Sequence, residues 1–193
     1  SAFIKEALFY DDGYLNVAVF IGDKSNADRV ENNIRHAFNY AKIRYAIFSK
    51  KDSKNLVVHD LYEYEAILVA TKTKDAIPFA LLKQYVAEGG RCVCINYIDP
   101  DPELNQLIGA KQYAKKAEYF KQGVYIQKQF FINAAAIPGD DMDCNVRMAV
   151  LDNDTTVLGD VISLFDAERY PLVWERRYKN GKILYWNTDL LDE

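Results

Sequence analysis

Two histidines in 193 residues leave almost no material for a Ser/His/Asp or Cys/His catalytic triad. They are His36, in a helical pattern with a charged face, and His59, between two strands, and each reads as a surface residue. Cysteine is scarce too. Three thiols cannot build a disulfide framework, and no CxxC spacing points to zinc or dithiol chemistry. No apolar run approaches the roughly 20 residues of a membrane-spanning helix, so no span is expected. Charge of one sign is also lacking. The 24 basic and 28 acidic residues are interspersed for a net charge of −4, which excludes the clustered basic face that nucleic acid requires.

Motifs are missing in the same way. There is no GxGxxG after the first strand, no GxxxxGK[ST] and no GxSxG, which removes dinucleotide, P-loop and nucleophile-elbow readings, and no cofactor is implied. The acidic clusters Asp99-Pro100-Asp101 and Gly139-Asp140-Asp141-Met142-Asp143 lack EF-hand spacing and read as solvated loops, so no metal is expected. The start, Ser1-Ala2, has no Met and suits a trimmed terminus, which leaves targeting unreadable.

What is present is a core. Half the residues are hydrophobic, enough to bury a large interior in one domain. Glu63 to Tyr97 organises the rest. Ala66 to Ala70 is a short apolar run that predicts a buried strand. Ile77, Leu81, Tyr85 and Val86 then recur at helical spacing behind an Asp75 cap, and the helix stops at Gly89-Gly90. Cys92 to Ile95 is a second apolar run, and strand, helix, strand is the βαβ unit of a parallel sheet. Before it, Asn16 to Ile21 predicts a strand. It is followed by a helix bearing Ala27, Val30, Ile34, Ala37, Phe38 and Ala41, with Ser25 and Asp28 resembling a capping box, and Arg44 to Phe48 is the next strand.

This alternation predicts an α/β fold, a mostly parallel, flavodoxin-like sheet with helices on both faces. Asp101 as cap, Pro102 in the first helical position and Gly109 as stop mark a short further helix. Beyond Gly109 the character changes to a basic, tyrosine-bearing stretch, Lys111 to Lys121. After it the runs Val124 to Ile132, Val146 to Leu151 and Thr155 to Leu158 read as strands without helices between them. Asp152-Asn153-Asp154 is a tight turn between two of them, and Tyr170 to Asn187 closes the chain as a hairpin around Asn180-Gly181, a dipeptide suited to a type I′ turn. One domain is preferred, with an antiparallel insertion at about 111–160. Cys92 and Cys94 share one face of a central strand and read as buried, whereas Cys144 follows an acidic loop, a setting that permits exposure.

In open α/β sheets the ligand crevice lies outside the carboxyl ends of the strands. The loops there supply the candidate ligand-binding residues Asp23, Lys24, Ser25, Thr71, Lys72, Thr73, Asn96, Tyr97, Asp99 and, if the last strand joins the sheet, Asn187. Lys24 and Lys72 favour a carboxylate or phosphate, and Tyr97, Tyr185 and Trp186 read as core with sugar stacking as their alternative. A small anionic or carbohydrate ligand is the expected partner. No acid/base pair or activated nucleophile can be named from spacing, so no catalytic residue is assigned.

The segments EAILVAT and EGGRCVCIN and the ending YPLVWERRYKNGKILYWNTDLL together resemble the class I glutamine amidotransferase-like fold, the ending in particular its ThuA-like branch. In that fold the catalytic cysteine sits on a sharp turn just after the strand that follows the Gly-Gly. Here that turn is Asn96-Tyr97-Ile98-Asp99, with no GxCxGxQ pattern and no His in the last third. The resemblance therefore implies the fold without the amidotransferase site. A narrower similarity, at ILYWNTDLLDE, is to uncharacterised bacterial proteins in which such a domain precedes a polysaccharide deacetylase-like domain. It implies a fragment of a longer, carbohydrate-active protein in the cell envelope or exported, with a C-terminal enzyme domain. The reading is a non-catalytic accessory or binding domain. Its rival is a ThuA-like hydrolase or sugar-processing enzyme using Asp23, Asp99 or Asp189 with Asn96 and Asn187.

Overall fold

Strands buried on both faces must be apolar at every position, and the three near-continuous runs of the N-terminal half occupy the middle of one sheet. The computed structural model describes residues 15–22, 27–121, 124–126, 143–163 and 166–189. Its strands are β1 (Asn16–Ile21), β2 (Arg44–Phe48), β3 (Ala66–Ala70), β4 (Arg91–Cys94), β5 (Ala110–Phe120), β6 (Val124–Ile126), β7 (Cys144–Leu151), β8 (Thr155–Ile162), β9 (Arg169–Tyr178) and β10 (Gly181–Trp186). The helices are α1 (Ala27–Ala41), α2 (Lys50–Ser53), α3 (Val58–Leu61), α4 (Phe79–Ala87) and α5 (Pro102–Ile108).

Eight strands form a mixed, mostly parallel sheet in the order β2-β1-β3-β4-β10-β9-β8-β6. From β2 to β10 every neighbour is parallel, and β9, β8 and β6 extend the sheet antiparallel. The expected adjacency of β1, β3 and β4 is present. Alternate residues of the same strands enter two separate cores. Val17, Val19 and Ile21 meet Val30, Ile34 and Phe38 of α1, while Ala18 and Phe20 join the core of α3, α4 and α5. Helices thus cover both faces.

Local chemistry explains where the elements stop. Asp101 accepts a hydrogen bond from the Glu103 N–H, Pro102 opens α5, and Gly109 ends it at φ 77°, in the left-handed region that favours glycine. The Trp174 indole N–H donates to the Ile108 carbonyl at 2.8 Å, satisfying a group that the helix end leaves without an internal partner.

Several expectations change. Asp75 does not cap α4: it lies in a 3₁₀ turn, Lys74–Ala76, because Pro78 holds Ile77 extended (φ −116°, ψ 122°) and delays the helix to Phe79. The closing turn is Lys179-Asn180, with Gly181 already paired in β10 opposite Tyr178. Only Lys179 of the two loop residues has positive φ, so the type I′ expectation fails. Gly181 answers a different demand: a Cβ there would lie 2.0 Å from the Val86 carbonyl oxygen and 2.3 Å from that of Gly90. The basic stretch after Gly109 is itself a long strand, β5, which pairs with β7 in a separate two-stranded sheet. Asp152-Asn153-Asp154 therefore joins strands of different sheets, since β8 pairs with β9 and β6. Cys144 is buried, as are Cys92 and Cys94. The Ser25/Asp28 cap and 127–132 of the expected strand lie outside the described side chains and residues.

Candidate functional site: a sealed strand edge

Because β1, β3, β4 and β10 are parallel, their carboxyl ends and following loops line one edge. Backbone bonds stitch it together. The Asp99 N–H donates to the Lys72 carbonyl at 3.0 Å and the Tyr97 N–H to the Thr188 carbonyl at 3.1 Å. The edge brings together Thr71, Lys72, Thr73, Asn96, Tyr97, Asp99 and Asn187, whereas Asp23, Lys24 and Ser25 lie outside the described residues. Thr71, Asn96 and Asn187 are fully buried. Thr71 sits against Gly22, where a Cβ would come within 2.8 Å of its hydroxyl, and that hydroxyl accepts the Thr73 N–H. A ligand approaching this edge meets Lys72, Thr73 and Asp99. Lys72 pairs with Asp189 at 3.8 Å.

The β5–β7 ribbon explains the burial. Phe120, Cys144 and Val146 belong to the core of α1, while Ala110, Tyr113 and Leu151 contribute to the core of the other face. The ribbon therefore passes from one face of the sheet to the other across the ends of β4 and β10. A register shift between Tyr113 and Ala117 bends it there. Bulges turn carbonyls out of the ladder, and the buried Arg147 guanidinium of β7 takes up those of Ala114 and Lys115. It also donates to Asp99 Oδ1 at 2.9 Å and lies over the Tyr97 ring, 4.6 Å from its centroid. One side chain thus joins the bulge, the β4 loop and an aromatic face.

Beneath it lies a chain of hydroxyl and amide bonds. Asn187 Nδ2 donates to the carbonyls of Arg147 (2.6 Å) and Pro171 (3.0 Å), and Tyr113 donates its hydroxyl proton to Asn187 Oδ1 at 2.7 Å. With that proton committed, the Tyr185 hydroxyl donates to the Tyr113 oxygen at 2.7 Å and accepts the Ile98 N–H at 2.8 Å. Arg147 and Tyr113 are the participants the sequence reading missed. The one signal was an arginine inside the apolar run Val146 to Leu151.

Nothing here activates a thiol. Cys94, the last residue of β4, is buried, and burial together with Cys92 pushes its pKa well up. Burial also pushes Cys144 up to about 11, against a smaller opposing pull from the Thr188 hydroxyl. Burial raises both Tyr113 and Tyr185; Tyr185 adds to the rise at Tyr113, whereas the bonds from Tyr113 and the Ile98 N–H pull Tyr185 down, and Arg147 opposes the rise at both. All four are acids whose folded pKa exceeds the unfolded one, so folding favours their neutral forms. That stabilisation is complete below the unfolded values of about 9 to 10 and is lost as pH rises through the folded values. Unfolding free energy should therefore stay level between about pH 6 and 8 and fall above about 9. Ellman's reagent at pH 8 should label all three cysteines only as fast as the protein unfolds. Rapid labelling of a native thiol would contradict this.

Among the described residues no three His, Cys, Asp or Glu side chains gather as metal ligands. Two openings flank the ribbon. A groove of about 570 Å³ is lined by Tyr119, Phe120, Lys121, Met148, Ser163 and Tyr170. A second, of about 530 Å³, shares Met148 and Tyr170 and reaches Tyr113, Ala114 and Pro171, whose hydroxyl and carbonyls belong to the strand-edge network.

Among solved structures, the cytoplasmic protein STM1381 from Salmonella typhimurium LT2 is similar at 13% identity, with a TM-score of 0.65 over 93% of this chain and 90% of its own. Agd3, a carbohydrate deacetylase, gives 0.62 at 15% identity over 91% of this chain and 29% of its own. A β-galactosidase from Bacillus circulans sp. alkalophilus gives 0.54 at 13% identity over 91% and 28%. These likenesses speak to fold, and the chain spans less than a third of either enzyme. No curated protein matches. The family described as "uncharacterised protein conserved in bacteria (DUF2194)" matches residues 6–193, and the chain belongs to it.

Proposed function

We propose that this chain is a non-catalytic, amidotransferase-like binding module that accompanies a polysaccharide-modifying enzyme in a longer bacterial protein. The observation that carries the reading is the sealed edge: where an amidotransferase-like fold would present its nucleophile, Arg147, held by Asp99, and the hydrogen-bonded pair Tyr113 and Asn187 fill the space. The strand order β2-β1-β3-β4 agrees with the flavodoxin-type arrangement that such a module would have. The carbohydrate context rests on the similarity in fold to a carbohydrate deacetylase and to β-galactosidases. Of the carboxylates that the rival, a ThuA-like hydrolase, would use, Asp99 is paired with Arg147 and Asp189 with Lys72, and Asp23 lies outside the described residues.

The test compares the chain alone with the complete gene product. The chain should be retarded in affinity gels containing polysaccharide and should release no acetate or reducing sugar from acetylated chito-oligosaccharides. In the complete protein, Cys94→Ser and Asp99→Asn, confirmed folded by circular dichroism, should leave turnover unchanged. Turnover by the chain alone that either substitution abolishes would sink the proposal.

A further inference from the structure

A strand at the end of a sheet turns every second N–H and C=O outward, and proteins commonly blunt such an edge with proline, a bulge or charged side chains. β2 is the terminal strand of the eight-stranded sheet, and it keeps one unbroken register with β1 over its whole length. It contains no proline, and its one charge, Arg44, stands at its start. The Arg44 N–H donates to the Leu15 carbonyl at 2.9 Å, which sets the alternation. Arg44, Ala46 and Phe48 bond towards β1, and the N–H and C=O groups of Tyr45 and Ile47 point away from the sheet. Both ends of this free edge are closed. The Ile43 N–H goes to the Phe38 carbonyl at 2.9 Å. Beyond Phe48, the Ser49 N–H donates to Asp52 Oδ2 at 2.8 Å and the Ser49 carbonyl accepts the Ser53 N–H at 3.0 Å. Two residues therefore remain, placed symmetrically about Ala46. A second β2 running antiparallel, with Ala46 opposite Ala46, matches them completely: Tyr45 exchanges both its backbone bonds with Ile47 of the other chain, on each side of the axis. A longer foreign strand gains nothing from its extra length.

The side chains fit the same arrangement. Alanine suits the axis, because residues facing each other in a non-hydrogen-bonded antiparallel pair approach to about 4.5 Å between Cα atoms. Tyr45 then stands across from Ile47, an aromatic and β-branched pair, on the face that α1 covers. On the other face Arg44 stands across from Phe48, whose ring is stacked on Phe20 at 5.5 Å. Above the edge, the flank of α1 carries Arg35, which lies over the Tyr45 ring at 5.7 Å, Asn39, which accepts the Tyr45 hydroxyl proton at 3.3 Å, and Glu31, paired with Arg35 at 2.6 Å. One base, one amide and one acid carry no net charge, so a two-fold copy of that flank meets no net charge of its own sign. All four residues from Tyr45 to Phe48 are half-exposed, whereas five of the six in β1 are buried. We propose that β2 is a dimerisation edge, at which a second copy of this chain pairs antiparallel about a two-fold axis at Ala46 and joins the two sheets into one. The pairing is independent of which ligand the module takes.

The experiment is sedimentation velocity of the chain from about 1 to about 500 µM, with thermal unfolding of each variant as the folding control. Expected is a reversible monomer–dimer equilibrium within that range. Ile47→Pro removes an N–H that no bond to β1 uses, and with it two of the four bonds across the axis, so the dissociation constant should rise about a hundredfold. Ala46→Lys sets two ammonium groups against each other at the axis and should leave only monomer. If the proline variant fails the folding control, the lysine variant decides. Register has its own readout. In Ala46→Cys the two new thiols should join in a disulfide as they reduce one oxidised glutathione to two reduced ones, because the Cα spacing at the axis suits the bond and the native thiols are buried. Tyr40→Cys, at a position 79% exposed on α1, should stay unlinked. A chain that remains monomeric to the top of the range, or a dimer that survives both Ile47→Pro and Ala46→Lys, would overturn the proposal. Equal cross-linking of the two cysteine variants would do the same. So would protection of the Tyr45 and Ile47 amides from exchange in a monomeric complete gene product, which would give the edge to a strand of the longer protein.

Discussion

Arg147→Met should lower stability by about 3 kcal/mol, and Asp99→Asn by only about 1 kcal/mol. Methionine keeps most of the stem's volume, so the larger loss is the guanidinium. Its removal strands the Ala114 and Lys115 carbonyls at the bulge, takes the cation from the Tyr97 face and frees Asp99. The two partners differ because their exposure differs. The Arg147 side chain is 8% exposed and that of Asp99 52%, so a released Asp99 rehydrates whereas the abandoned carbonyls do not. For a chain of this length the arginine change corresponds to a fall of roughly 6–12 °C in Tm. Hydrogen exchange locates the damage: amides of 110–120 and 144–151 should lose protection before those of β1 and β3. Equal effects from the two substitutions, or exchange rising uniformly across the sheet, would show that the arginine is not what fastens the ribbon.

That contrast also explains what the sequence displays. β1, β3 and β4 are legible because a parallel strand with a core on each side has no polar position; every residue of Ala66–Ala70 is buried. The ribbon is illegible for the opposite reason. β5 buries its two ends, Ala110 and Phe120, and leaves Lys111, Gln112, Lys115, Lys116, Glu118 and Tyr119 exposed while it turns around an edge, so neither an apolar run nor an alternation marks it. Strand-end logic did collect Thr71, Asn96, Tyr97, Asp99 and Asn187 in one place, since topology alone decides which loops converge. It could not say which of them face solvent, because that depends on Arg147, about 50 residues from Tyr97, and on Tyr113, 74 residues from Asn187.

Asn187→Leu should be the costlier change still, at about 3–4 kcal/mol, because leucine matches the amide in size and so isolates its polarity. The amide donates to carbonyls of two different sheets, Arg147 in β7 and Pro171 in β9, and accepts the Tyr113 hydroxyl proton, all within a residue that is fully buried. Two carbonyls and a phenol left without partners cost about 1–3 kcal/mol each, less whatever water reaches them. Tyr113→Phe removes one of the three bonds, and Tyr185 loses the acceptor of its own proton. If the chain from Ile98 through Tyr185 and Tyr113 to Asn187 acts as a unit, the double variant should be less destabilised than the sum of the single changes by about 1 kcal/mol in urea unfolding. Strict additivity would mean that the hydroxyl chain and the amide are neighbours without coupling, and that the ribbon is held by the arginine and by apolar packing alone.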